Sequence, residues 1–204
     1  MTKKMMINPY SITNYNRTLN EKQEFLLFCM VVAGKTAYIQ AQKLEDFLKS
    51  IHTRLMMPDS CSPFQIIKSA DQHGILLQEL QKAKLGQYNK LFKGFKYLID
   101  NPINLEQCKT DELEKIPGIR MKSSRFFLLH SFKNYNGSLA ILDTHILKFI
   151  KENIDNRAPK STPTIAVTYK YWEDVFLYWC DKMGKDTAEF DLEIWKSYAR
   201  TAKP

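Results

Sequence analysis

Residues 111–133, DELEKIPGIRMKSSRFFLLHSFK, concentrate the chemistry of this sequence. A short helical stretch ends at Ile116, Pro117-Gly118 turns the chain, and a second helix begins near Met121. A tight turn opening a helix presents backbone N–H groups at the positive end of the helix dipole, which suits a phosphate. Arg120, Lys122 and Arg125 lie on or beside this turn. Gripping DNA there would hold its backbone without reading bases. The same residues also read as an αα-hairpin joining two core helices. Farther on, Asp143 follows the apolar run 139–142 and precedes Ile146, Leu147, Phe149 and Ile150. That makes it a natural N-cap.

These groups must be positioned by helices. Period-2 alternation is nearly absent, and there are only seven glycines. Leu44, Phe47, Leu48, Ile51 and Leu55 fall on one helical face. Residues 21–33 read as a buried helix, apolar all round. Similar spacing predicts helices near 63–70, 72–83, 88–99, 111–115, 121–133, 144–153, 164–183 and 187–199. The breakers fall between them: Met57-Pro58-Asp59-Ser60, Asn101-Pro102, Pro117-Gly118, Asn136-Gly137-Ser138, and 155–164 with its two prolines. The expected class is all-α.

Lys plus Arg is 30 and Asp plus Glu is 22, a net charge of +8. Such an excess points to an anionic partner, nucleic acid first and an anionic membrane surface second. Segments 81–99 and 116–142 contain no acidic residue. Each could equally be a solvated helix face. The longest apolar run, 25–33, is too short to span a bilayer, and MTKKMMINPY has no signal-peptide core. Cys29, Cys61, Cys108 and Cys180 lack metal-clip spacing, and the four histidines share no i, i+4 spacing. No metal site is expected. Gly34-Lys35-Thr36 resembles the end of a P-loop, but Cys29 stands where that loop needs glycine.

Ile116-Pro117-Gly118-Ile119-Arg120-Met121-Lys122, then Asp143-Thr144-His145-Ile146, resembles the hairpin and acidic segment of the HhH-GPD superfamily of DNA glycosylases. Gly86-Gln87-Tyr88-Asn89-Lys90 is similar to a segment that precedes the hairpin in many members. The resemblance covers roughly 85–150 well. Arg120 stands where a second glycine is usual, and Ser124 where alanine is common. The C-terminal four-cysteine cluster is missing, so no iron–sulfur cluster is expected, though a monovalent cation at the hairpin fits the resemblance. That absence points to the cluster-free branches, which include the oxoguanine glycosylases. Phe190-Asp191-Leu192-Glu193-Ile194-Trp195, with Lys203 near the end, faintly resembles the tail of the small archaeal-type oxoguanine glycosylases.

The resemblance implies one two-lobed glycosylase domain over 1–204. Its lobes would be roughly 60–155, with the hairpin, and 1–59 plus 156–204, with DNA in the cleft between them. It implies Lys122 as nucleophile and Asp143 as catalytic carboxylate. Gly118, Ile119, Arg120, Ser123, Arg125 and Lys35 would contact DNA. A base flipped into a pocket needs aromatic or apolar walls. Phe126, Phe127, Trp172, Trp179 and Trp195 are candidates, and Phe126, Asp191, Trp195 and Lys203 form the expected pocket set. The implied activity is removal of 8-oxoguanine from duplex DNA, with strand nicking through a lysine Schiff base and β-elimination. Two rivals remain: an oxidised-pyrimidine glycosylase without a cluster, and a non-catalytic hairpin DNA-binding protein. The implied partner is double-stranded DNA carrying a damaged base or an abasic site, bound by a monomer without a membrane. The expected location is intracellular, with DNA in the cytoplasm and nucleoid or in the nucleus.

Overall fold

The structure is a computed structural model that describes residues 7–201, with side chains to residue 198. Among the described residues there are ten α-helices, two short 3-10 turns and no strand. The helices are α1 Leu19–Val31, α2 Ala37–Arg54, α3 Pro63–Gln72, α4 Leu76–Lys82, α5 Tyr88–Asp100, α6 Thr110–Leu113, α7 Met121–Ser131, α8 Thr144–Asn153, α9 Ala166–Lys182 and α10 Thr187–Thr201. Local chemistry sets several starts. Thr18 and Glu21 form a capping box for α1, as do Ser62 and Gln65 for α3, where Pro63 takes the first turn. Every expected helix is present, and each breaker lies between two of them.

The chain groups into two compact units, residues up to 12 with 16–119, and 13–15 with 120 onward. These bounds differ from the lobes expected at 60 and 155. The reason is that α2 packs on α1, α3 and α4, while α10 packs on α7, α8 and α9. In the first unit Phe25, Phe28, Phe47, Ile51, Ile67, Leu80 and Phe95 are fully or almost fully buried. The α2 ring of Phe47 meets the α5 ring of Phe95 at 6.0 Å. In the second, Leu142, Ile146, Leu147, Ile150, Tyr169, Phe176 and Phe190 form one apolar cluster. Phe190 of α10 stacks on Phe176 of α9 at 5.7 Å and meets Phe149 of α8 edge-on at 5.3 Å.

Three N-terminal residues join the second unit through hydrogen bonds. Thr13 Oγ1 lies 2.8 Å from His130 Nδ1, and the Asn14 N–H donates to the His130 carbonyl at 3.1 Å. Asn136 Nδ2 donates to the Tyr15 hydroxyl at 2.8 Å.

Candidate active site

In the first unit, the Pro117-Gly118 turn rests on α5. A Cβ at Gly94 would collide with the Pro117 carbonyl oxygen and the Met30 methyl. Only glycine lets the turn approach so closely. One helical turn earlier, the Lys90 stem lies against Gly118, where a Cβ would stand 3.1 Å from Lys90 Cε. Gly118 itself has φ +102°, a conformation glycine adopts without strain. Ile119 is buried, and its N–H donates to the Ile116 carbonyl at 3.0 Å.

In the second unit, α7 opens at Arg120, whose backbone is extended and whose side chain makes no cap. Arg120 is exposed, whereas Ser123 is buried. Lys122 lies half-buried in the first turn. Asp143 caps α8, and its Oδ1 accepts from the N–H groups of His145 at 2.8 Å and Ile146 at 2.9 Å. The N-cap reading of Asp143 therefore holds, and it directs the carboxylate to a fixed place.

A polar truss joins the starts of these two helices. Arg125 Nε donates to Glu173 Oε1 at 2.7 Å, and Arg125 Nη1 donates to the Met121 carbonyl at 3.2 Å. The same Glu173 oxygen accepts from the Ala140 N–H at 3.0 Å. Tyr169 donates to the Ala140 carbonyl at 3.0 Å and accepts from the Leu142 N–H at 3.1 Å. Thr162 Oγ1 donates to the Leu142 carbonyl at 2.7 Å. The residue before Lys122 and the residues before Asp143 are thus tied to the same two side chains of α9. The Arg125 guanidinium also lies over the Tyr169 ring, 4.6 Å from its centroid. Arg125 is expected at DNA, but its side chain is only 12% exposed and is committed to Glu173.

Asp191 of α10 is buried. Burial raises it above the usual carboxylate range, His130 lowers it, Asp143 raises it and Lys122 lowers it. The charges of Lys122 and Asp143 therefore both act on Asp191. Its Oδ2 is 3.4 Å from His130 Nε2. Phe126 meets the His130 ring edge-on at 5.2 Å and packs near Leu129, Ile141 and Ala188. Trp195 stands one helical turn beyond Asp191 and is half-buried. Trp172 belongs to the α8–α9–α10 core and Phe127 is fully buried, so neither is a wall open to a ligand. Trp179 is half-buried beneath Lys182 Nζ. Lys203 lies outside the described residues.

Lys35 follows α1, and its ammonium donates to the carbonyls of Val31 and Leu85. Burial, then Lys43 and Lys90, pushes it below the usual lysine range. Bonds to two carbonyls give Lys35 a structural task and no P-loop cradle. Among the described residues no group of three or more His, Cys, Asp or Glu is arranged to hold a metal ion. No functional motif in the sequence includes Gly94, Glu173, Tyr169 or Thr13. Gly94 alone left a local signal, a lone glycine inside the helical pattern LFKGFKYL.

No family model matches the chain, and no curated protein matches it. Among solved structures it is similar to the 8-oxoguanine glycosylase/lyase of Methanocaldococcus jannaschii in complex with a 15mer DNA containing 8-oxoguanine. The TM-score is 0.63 at 21% identity, over 96% of this chain and 88% of that one. It is also similar to the M. jannaschii 8-oxoguanine DNA glycosylase, with a TM-score of 0.62 at 22% identity, over 95% and 84% of the two chains. The chain has the all-helical fold of these proteins, and the all-α class expected from the sequence is the one observed.

Proposed function

We propose that this chain is a DNA glycosylase and AP lyase that removes an oxidised purine, 8-oxoguanine, from duplex DNA. The observation that carries the proposal is the placing of Lys122 in the first turn of α7 and Asp143 at the cap of α8, with the charges of both acting on the buried carboxylate of Asp191. The fold shared with an 8-oxoguanine glycosylase/lyase supports it. A hairpin that only bound DNA would require neither a lysine nor a carboxylate at these two starts.

Breaking an N-glycosidic bond builds positive charge on the sugar. Asp143 Oδ1 is engaged by two backbone N–H groups, and the carboxylate charge they hold in place stabilises that sugar. The neutral amine of Lys122 forms a bond to C1′ as the C1′–N bond breaks, and the base departs with the bonding electrons and takes up a proton. Ring opening gives a Schiff base between Nζ and C1′. Loss of a proton from C2′ then expels the 3′ phosphate by β-elimination, which nicks the strand. Exposed Arg120 and the first-turn N–H groups of α7 would hold a phosphate of the same strand. Asp191, Phe126 and Trp195 would line the position of the extruded base.

Borohydride trapping on oligonucleotides carrying a panel of lesions tests this reading. Lesion DNA should yield a covalent adduct with the wild-type protein, and Lys122→Gln should lose both adduct and nick while retaining most duplex binding. Asp143→Asn keeps the oxygen that caps α8 but loses the charge. Excision should slow by about a hundredfold, while nicking at a ready-made abasic site, which needs no base departure, should suffer less. An undiminished adduct in Lys122→Gln would move the nucleophile to another amine. Adduct formation confined to oxidised pyrimidines would transfer the substrate to that class.

A further inference from the structure

His130 is fully buried, yet both of its ring nitrogens face polar side chains. Nδ1 is 2.8 Å from the Thr13 hydroxyl, and Nε2 is 3.4 Å from Asp191 Oδ2. Thr13 lies 117 residues before His130 in the sequence, and the bond from Asn14 N–H to the His130 carbonyl fixes its segment against α7. From α9, burial pushes the Cys180 thiol up to about 12 and raises the Tyr169 hydroxyl, so both are neutral at ordinary pH. Lys122 and Asp143 act on Asp191 with opposite charges. From α7, His130 Nε2 stands 3.4 Å from Oδ2 of this carboxylate.

An ionised carboxylate only accepts hydrogen bonds, so Nε2 must carry a proton to hold it. A neutral imidazole then has its lone pair on Nδ1, which calls for a donor. A threonine hydroxyl can be that donor. Resting on the glycosylase reading above, we propose that Thr13 and His130 are positioning residues for base recognition. Thr13 donates to Nδ1, this places the ring proton on Nε2, and that N–H holds Asp191 as an ionised acceptor for the N–H groups of an extruded base. The edge-on ring of Phe126 fixes the plane of the imidazole. The relay acts on base recognition and departure. Schiff-base chemistry at Lys122 proceeds without it once the base has gone.

Thr13→Val removes the donor and keeps the shape, and Thr13→Ser restores the donor. Single-turnover excision of 8-oxoguanine by Thr13→Val should slow by about tenfold, the usual effect of losing a hydrogen bond that supports a charged group. Nicking at a ready-made abasic site should change far less. Thr13→Ser should recover excision. Nitrogen NMR of the imidazole should show His130 protonated at Nε2 in the wild type and altered at Nδ1 in Thr13→Val. Wild-type excision by Thr13→Val, or a His130 ring without a proton on Nε2, overturns the relay and leaves the glycosylase reading standing. Equal losses of excision and abasic nicking in Thr13→Val would make Thr13 a purely structural residue and also overturn the relay. A wild-type protein with neither excision nor adduct overturns the glycosylase reading itself, and with it the role assigned to the relay.

Discussion

Several charged side chains on or beside α1 lie inside the first unit, and each settles its charge differently. Lys22 pairs with Glu106 at 2.6 Å. Arg17 lies 4.0 Å over the Phe25 ring and is lowered to about 10, chiefly by burial. Glu24 is raised from 4.5 to about 7, by burial first and then by Glu45 and Glu21. A raised carboxylate favours the folded state while it is protonated. That stability is fully present below the unfolded value and is lost as pH rises through the folded one. The window therefore runs from pH 4.5 to about 7. Its size is on the order of 3 kcal/mol, from the difference between the two values. Glu24→Gln keeps the shape without the charge. Its melting temperature should exceed that of the wild type at pH 8, and the gap should close by pH 5. Parallel curves for the two proteins would mean that Glu24 meets no desolvation in the folded state.

At the scale of elements, helix spacing and breakers carried most of the fold, because burial of one face is written into the sequence at every third or fourth residue. The pairings that hold the candidate site were not legible in that way. Arg125 and Glu173 are on different helices, and each alone reads as a surface charge. Thr13 and His130 are 117 residues apart in the chain. Periodicity describes an element's face and leaves its distant partner unspecified. A local motif marks Lys122 and Asp143 as candidates, whereas the truss around them has no local mark. Gly94 lies between these cases. Alanine would strengthen an isolated helix by about 0.5–1 kcal/mol. Here its Cβ would strike the Pro117 backbone, which cannot rotate away as a side chain can. Gly94→Ala should therefore lower stability by roughly 1–3 kcal/mol, as overpacking does, and weaken duplex binding through the displaced turn. Thermal denaturation and a binding titration with undamaged duplex measure both. A variant more stable than wild type, with unchanged affinity, would show that the turn gains nothing from its seat on α5.

For the whole molecule, the total of 30 Lys and Arg overstates the number of cations that can reach a ligand. Lys22, Arg54, Lys96, Arg125, Lys170 and Lys185 are each held by a carboxylate of the same chain. Within the acid-free stretch 116–142, Arg125 is one of those held, and Arg120 is exposed. The two arginines should separate cleanly in a salt titration. Each phosphate neutralised contributes about 0.9 to the slope of log affinity against log salt. Arg120→Ala should reduce the magnitude of that slope by about 1 and weaken damaged and undamaged duplex alike, since a phosphate contact carries no base information. Arg125→Gln should leave the slope nearly unchanged. It would strand Glu173, which is 1% exposed, without its strongest partner, so the loss should appear in the melting temperature. If Arg120→Ala left the slope intact while Arg125→Gln reduced it, the DNA contact would belong to Arg125, and the truss would have to open on binding.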